Sequence, residues 1–159
     1  MKHIVITSTD KTGKYKELYT QLSLILENEK DLITRMSSIC SAIKEVFDFY
    51  WIGFYRVSNN ELAVGPYIGT LACLRIAHGK GVCGTAWQQQ KTLIVPDVNL
   101  FPGHIACSSD SKSEIVIPIW NNNKIIAVLD IDSEYLSAFD TTDQHYLEQI
   151  ATLLDGDFI

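Results

Sequence analysis

Prolines are scarce in this chain, four among 159 residues, and with 47% hydrophobic and 20% charged residues the composition is that of an ordinary globular protein. That excludes a collagen-like, repetitive or disordered chain. Basic runs are missing, and the formal charge of −6 speaks against nucleic acid as a partner, because phosphate binding needs concentrated Lys and Arg. No apolar stretch approaches the ~20 residues of a membrane span, so no membrane association is expected. The opening MKHIVITSTDKTGKYKE lacks the long apolar centre and small-residue cleavage site of a secretory signal. A cytoplasmic location is therefore expected. Cysteine is also sparse, four in all, and no two of them form a C-x-x-C pair. In the cytoplasm structural disulfides are rare, and thiols that come together there are catalytic, redox-sensing or metal-binding.

The length fits one well-cored domain, expected to span 1–159. Leu18, Leu22, Ile25 and Leu26 recur at helical spacing from Tyr15 to about Asn28. Leu32, Met36, Ile39, Ile43 and Val46 do the same from Lys30 to about Phe47. The pattern then changes. YWIGFYRV, ELAVG and LACLRI read as strands, Val82 to Gln90 as a short helix, and TLIVPDV as a short strand ended by Pro96. Residues 99–113 read as a long loop. EIVIPIW and KIIAVLDID make a hairpin around Asn121–Asn123, and Asp140 with Asp143 marks the start of a last helix. Helices, hairpin-connected strands and a terminal helix predict an α+β fold with an antiparallel sheet covered by helices.

The four cysteines divide unequally. Cys40 falls on the apolar stripe of the second helix and reads as a core residue. Cys73, Cys83 and Cys107 lie in glycine- and serine-rich segments that suggest access to solvent. Cys83, in GKGVCG, sits where a loop gives way to a helix, and a helix N-terminus favours thiolate. The intervals between the three, ten and twenty-four residues, do not match close-paired structural zinc sites. No metal is assigned, and redox chemistry accounts for them better.

Other side chains join them. Period-two alternation puts Val128, Asp130 and Asp132 on one face of a strand, either as a solvated strand end or as partners for a ligand. Glu114 opens the neighbouring strand, either facing solvent or, if buried, holding a proton for a departing oxygen. Trp51, Gly53 and Tyr55 share a face, as core packing or as an apolar clamp around a thioether or methyl group.

In this order and spacing, GPYIGTLACLRI, GKGVCGTAW, VPDVNLFPGHIAC, SKSEIVIPI and AVLDIDS resemble the free methionine-(R)-sulfoxide reductases, enzymes built on a GAF domain. The resemblance runs from Trp51 to Ser133, and the flanking helices fit the same domain. It implies a GAF-like fold of about six antiparallel strands flanked by helices, and a homodimer. It implies reduction of the R sulfoxide of free methionine, with no bound cofactor and with thioredoxin or another dithiol as external reductant. By motif, Cys107 becomes the attacking thiol, Cys73 the principal resolving thiol and Cys83 an additional one. Trp51 and Tyr55 wall the substrate pocket, while Glu114, Asp130 and Asp132 form the acidic cluster around the sulfoxide oxygen and amino group. Ser108, Asn121–Asn123, Ala127 and Ile68 depart from residues frequent in the family, which bears on rate rather than on reaction type. A non-catalytic GAF sensor of a small molecule or of redox state is the alternative. With one helix before Ile159, no output domain is expected, which favours the enzyme.

Overall fold

The computed structural model describes residues 3–105, 107 and 109–159; the departure at Ser108 lies outside them. In chain order the elements are α1 (Lys11–Leu26), α2 (Leu32–Val46), β1 (Trp51–Ser58), β2 (Glu61–Ile68), β3 (Arg75–Ala77), α3 (Gly81–Gln89), β4 (Leu93–Val95), β5 (Ser113–Asn121), β6 (Lys124–Ser133) and α4 (Thr141–Ala151). Short 3-10 turns follow β4 and α4, at Val98–Leu100 and Thr152–Leu154. The six strands form one antiparallel sheet in the order β3-β2-β1-β6-β5-β4. The expected α+β architecture is thus the one observed.

Alternation decides which face each strand residue meets. Ile52 and Phe54 of β1, Ile115, Ile117 and Ile119 of β5, and Ala127, Leu129 and Ile131 of β6 point to one face. There they pack against the apolar stripes of α1, α2 and α4, with Cys40 among them as expected. Each of these side chains contributes roughly 1.5–3 kcal/mol by leaving water. On the opposite face Trp51, Tyr55, Val116 and Val128 meet Val82, Cys83 and Ala86 of α3.

Both hairpins close on asparagine pairs. Asn59 and Asn60 join β1 to β2, and Asn122 and Asn123 join β5 to β6, all four with positive φ. That is the backbone a two-residue turn needs, and asparagine tolerates it, so the departure at Asn121–Asn123 does not break the second hairpin. Ala127 and Ile68 both belong to the apolar face and leave the other face untouched.

Three boundaries differ from expectation. α1 starts four residues earlier than its apolar periodicity shows, because the Asp10 side chain accepts from Gly13 N and caps a polar first turn. Of LACLRI only Arg75 and Ile76 pair in a strand, which runs on to Ala77, while its start lies in the irregular segment that carries Cys73. The long loop contains a 3-10 turn capped by the Asp97 side chain on Asn99 N, and β5 already begins at Ser113. Among the described residues no helix is long and apolar enough to cross a membrane.

Candidate active site

The site grows from cross-strand register. Residues directly opposite one another in an antiparallel pair point to the same face. Asp132 pairs with Trp51 on one side and with Glu114 on the other, while Asp130 pairs with Gly53 and Val116. One row across three strands therefore carries an indole and two carboxyls, and the next row adds a third carboxyl. α3 covers this face. Its close approach at the start depends on Gly84, where a Cβ would strike the carbonyl oxygen of Ala77.

Gly53 has a different neighbour from the one its sequence suggested. A Cβ there would collide with the Trp51 ring and with Tyr67 Cβ. The glycine makes room for the indole, which lies back over the strand, stacked with Tyr67 and Tyr55 at centroid distances of 5.2 and 6.0 Å. Trp51 Nε1 donates to Thr70 O at 3.0 Å and fixes the ring. Trp51 and Tyr55 are both buried, yet each lines a cleft with about 550 Å³ of empty space, its mouth included.

Glu114, Asp130, Asp132, Cys83, Cys107, His104 and Ser111 line the same cleft. Among its described lining residues there is no Lys or Arg. Cys83 Sγ lies 3.9 Å from Glu114 Oε1, and His104 Nε2 lies 3.9 Å from Glu114 Oε2. The Ser111 hydroxyl donates to Asp132 Oδ1. Asp130 Oδ1 is buried without a hydrogen-bond partner among the described residues, a costly arrangement for a polar atom unless a ligand completes it.

Three acids crowded without a cation resist ionisation. Burial, then the charges of Asp130 and Asp132, hold Glu114 well above the usual carboxylate range. Burial and then Asp130 act on Asp132 in the same direction. Asp130 is pushed up to about 6 by burial, against the lowering influence of Glu114 and Cys83. The cluster is built to keep protons near neutrality.

Cys83 corrects two expectations. It is the third residue of α3, but it is buried, not solvent-accessible. Burial, followed by the charges of Asp130 and Glu114, drives its thiol well above the ordinary value. Desolvation and two facing carboxyls outweigh the helix terminus, so the thiol, not the thiolate, is favoured here. Donor atoms of Cys83, Glu114 and Asp130 all lie within 4.8 Å of one another, close enough to converge on a cation in competition with those protons.

Cys73 and Cys107 are joined by a disulfide that spans 34 residues, with Cα atoms 5.5 Å apart. The bond ties the segment after β2 to the loop before β5, two walls of the cleft. All eight residues singled out from the sequence thus gather at one place: Cys73 in this bond, the other seven lining the cleft. Tyr50, Thr70 and Ser111 also line it and had no sequence signal, being polar residues in loops or at a strand edge. His104, three residues before Cys107 and without a sequence signal of its own, lines it too. His78 instead packs edge-on against Trp87, and it does not line the cleft.

The GAF domain family matches this chain over residues 31–155. GAF domain-containing protein A of Dictyostelium discoideum is 52% identical over 152 residues, 95% of this chain and 96% of that protein. A free methionine-R-sulfoxide reductase of Saccharomyces cerevisiae is 41% identical over 153 residues, 88% of this chain and 85% of its own. The X-ray structure of free methionine-R-sulfoxide reductase from Neisseria meningitidis, in complex with its substrate, matches with a TM-score of 0.94 at 42% identity, covering 97% of this chain and 93% of that one. The chain belongs to the GAF domain family and, within it, to the free methionine-R-sulfoxide reductases.

Proposed function

We propose that the protein reduces the (R)-S-oxide of free L-methionine to methionine, with Cys107 and Cys73 supplying the electrons. The observation that carries this is the Cys73–Cys107 disulfide at a cleft that also holds an indole and three acids whose pKa values burial raises. Named activity in the similar S. cerevisiae and N. meningitidis proteins supports the same assignment. Residues 1–159 are taken as one GAF-like domain, since α1, which precedes the matched span, packs on α2 and α4.

A sulfoxide sulfur is electrophilic, and its oxygen leaves poorly until it is protonated. Cys107, as thiolate, attacks that sulfur while Glu114 gives one proton to the oxygen. Methionine departs reduced by two electrons and Cys107 is left as sulfenic acid, oxidised by the same two. The Cys73 thiol then displaces water and closes the disulfide. An external dithiol such as thioredoxin restores both thiols by exchange. The bonded pair in this structure corresponds to the enzyme after turnover and before re-reduction. Cys83, buried and kept protonated by its surroundings, is a reserve thiol rather than the attacking one.

Trp51 and Tyr55 flank the methyl and sulfur, a contact aromatic rings favour. Asp130 Oδ1, with no partner of its own, and Asp132 receive the polar end of the substrate. No bound cofactor enters this scheme. A cytoplasmic supply of dithiol and a homodimer complete it; light scattering tests the latter.

The assay is direct. Protein, dithiothreitol and free methionine (R)-sulfoxide should yield methionine, and Cys107→Ser should yield none. Undiminished release by that variant would take Cys107 out of the attacking role. Absence of methionine with the unaltered protein would favour a sensor.

A further inference from the structure

Glu114 is well placed to give up a proton and badly placed to regain one. Its side chain is 7% exposed, and the elements packed around it present Cys83 from α3, Asp130 and Asp132 from β6, and Tyr55 from β1. Burial drives every one of these toward keeping its own proton. Asp132 is half-buried, but its Oδ1 is engaged by the Ser111 hydroxyl. No Lys or Arg lines the cleft among the described residues.

His104 differs from all of these. It is the one nitrogen base among the described residues lining the cleft, and its side chain is 16% exposed, so it spans the cavity and the solvent. Its Nε2 faces Glu114 Oε2 at 3.9 Å while Cys83 faces Oε1. A shift of under about 1 Å, within reach of a side chain on a loop, turns that separation into a hydrogen bond. Partial burial lowers its pKa from the ordinary 6.5, which leaves a neutral imidazole with a free lone pair at pH 7.

We propose, resting on the reductase assignment above, that His104 returns protons from solvent to Glu114 between turnovers. Each cycle leaves Glu114 as a carboxylate, its proton having gone to the sulfoxide oxygen. The imidazole takes a proton from solvent, becomes imidazolium, and passes that proton to Glu114 Oε2; no electron moves in this step. His104 acts through Glu114 and does not touch the reacting sulfur.

Rapid quench of fully reduced enzyme mixed with free methionine (R)-sulfoxide, at non-limiting dithiothreitol and pH 7, separates the first turnover from later ones. In His104→Gln the first turnover should match the unaltered enzyme, because Glu114 starts protonated. Later turnovers should slow by at least about tenfold, below what full loss of an assisted proton transfer costs, with KM unchanged. Imidazole in the buffer should restore them, more fully in His104→Ala, where the missing ring leaves space. Later turnovers within twofold of the unaltered enzyme would overturn the proposal. A loss that imidazole leaves untouched in both variants, or a first turnover slowed as much as the rest, would do the same. If the unaltered protein releases no methionine, the failure lies with the reductase assignment instead.

Discussion

The two faces of the central sheet are made from the same strands and serve opposite ends. On one, Ile52, Phe54, Ile117, Leu129 and Ile131 are buried among helices and pack with other apolar side chains. On the other, one residue along from several of these, Glu114, Asp130 and Asp132 are crowded under α3, with no Lys or Arg among the described residues that line their cleft. The first face gains free energy from burial. The second also buries Val82, Ala86, Val116 and Val128, but part of that gain is offset by the desolvation of three acids. The chemistry draws on the side where burial carries that cost.

That contrast can be broken from either side. The largest change should come from Phe54→Ala, which empties a fully buried ring position. Urea unfolding should show a loss of roughly 4 kcal/mol, while methionine release per folded molecule stays within a few-fold. A comparable collapse of activity in still-folded protein would mean that the faces are not separable.

Glu114→Gln comes next, and on the opposite side. Single-turnover methionine release should fall about a hundredfold, equivalent to roughly 2.7 kcal/mol, with the Cys73–Cys107 bond still able to form under oxidant. The pH dependence has a definite sign. Glu114 donates only when protonated, so the rate should fall as pH rises through its elevated pKa, and the variant should lack that limb. A limb that persists in Glu114→Gln would assign the proton to another group.

An effect of comparable size, on stability rather than rate, concerns the acid face. Asp130 moves from 3.8 to about 6 on folding, so its protonated form is the one the native state favours. The corresponding stability is fully present below about pH 4 and is lost as pH rises through 6. Asp130→Asn should therefore be more stable than the unaltered protein at pH 8, by roughly 2–3 kcal/mol, with the gap closing by pH 4. Equal urea midpoints at both pH values would show that the carboxyl is not strained by its burial.

Much of this organisation was legible along the chain. Alternation in EIVIPIW and KIIAVLDID assigned Ile115, Ile117 and Leu129 to one side and Glu114, Asp130 and Asp132 to the other. The helical spacing of Met36, Ile39, Cys40 and Ile43 placed that cysteine in the core. Register was beyond such patterns: nothing local states that Asp132 stands between Trp51 and Glu114. Cys83 shows the limit most sharply. Its position at a helix start suggested a thiolate, and burial, together with the carboxyls arriving from β5 and β6, reverses that expectation. His104, one short side chain in a polar loop, gained its place against Glu114 from how that loop closes over the sheet.

The order of amino acids by itself determined which side chains could share a face, where turns would form, and which thiols lay outside the apolar stripes, because dihedral preference and periodicity act over a few residues. Tertiary structure alone decided the meeting of Cys73 with Cys107 and the protonation of the acids between them and the sheet. Both depend on distance and on exclusion of water, and those exist only once remote segments have packed together.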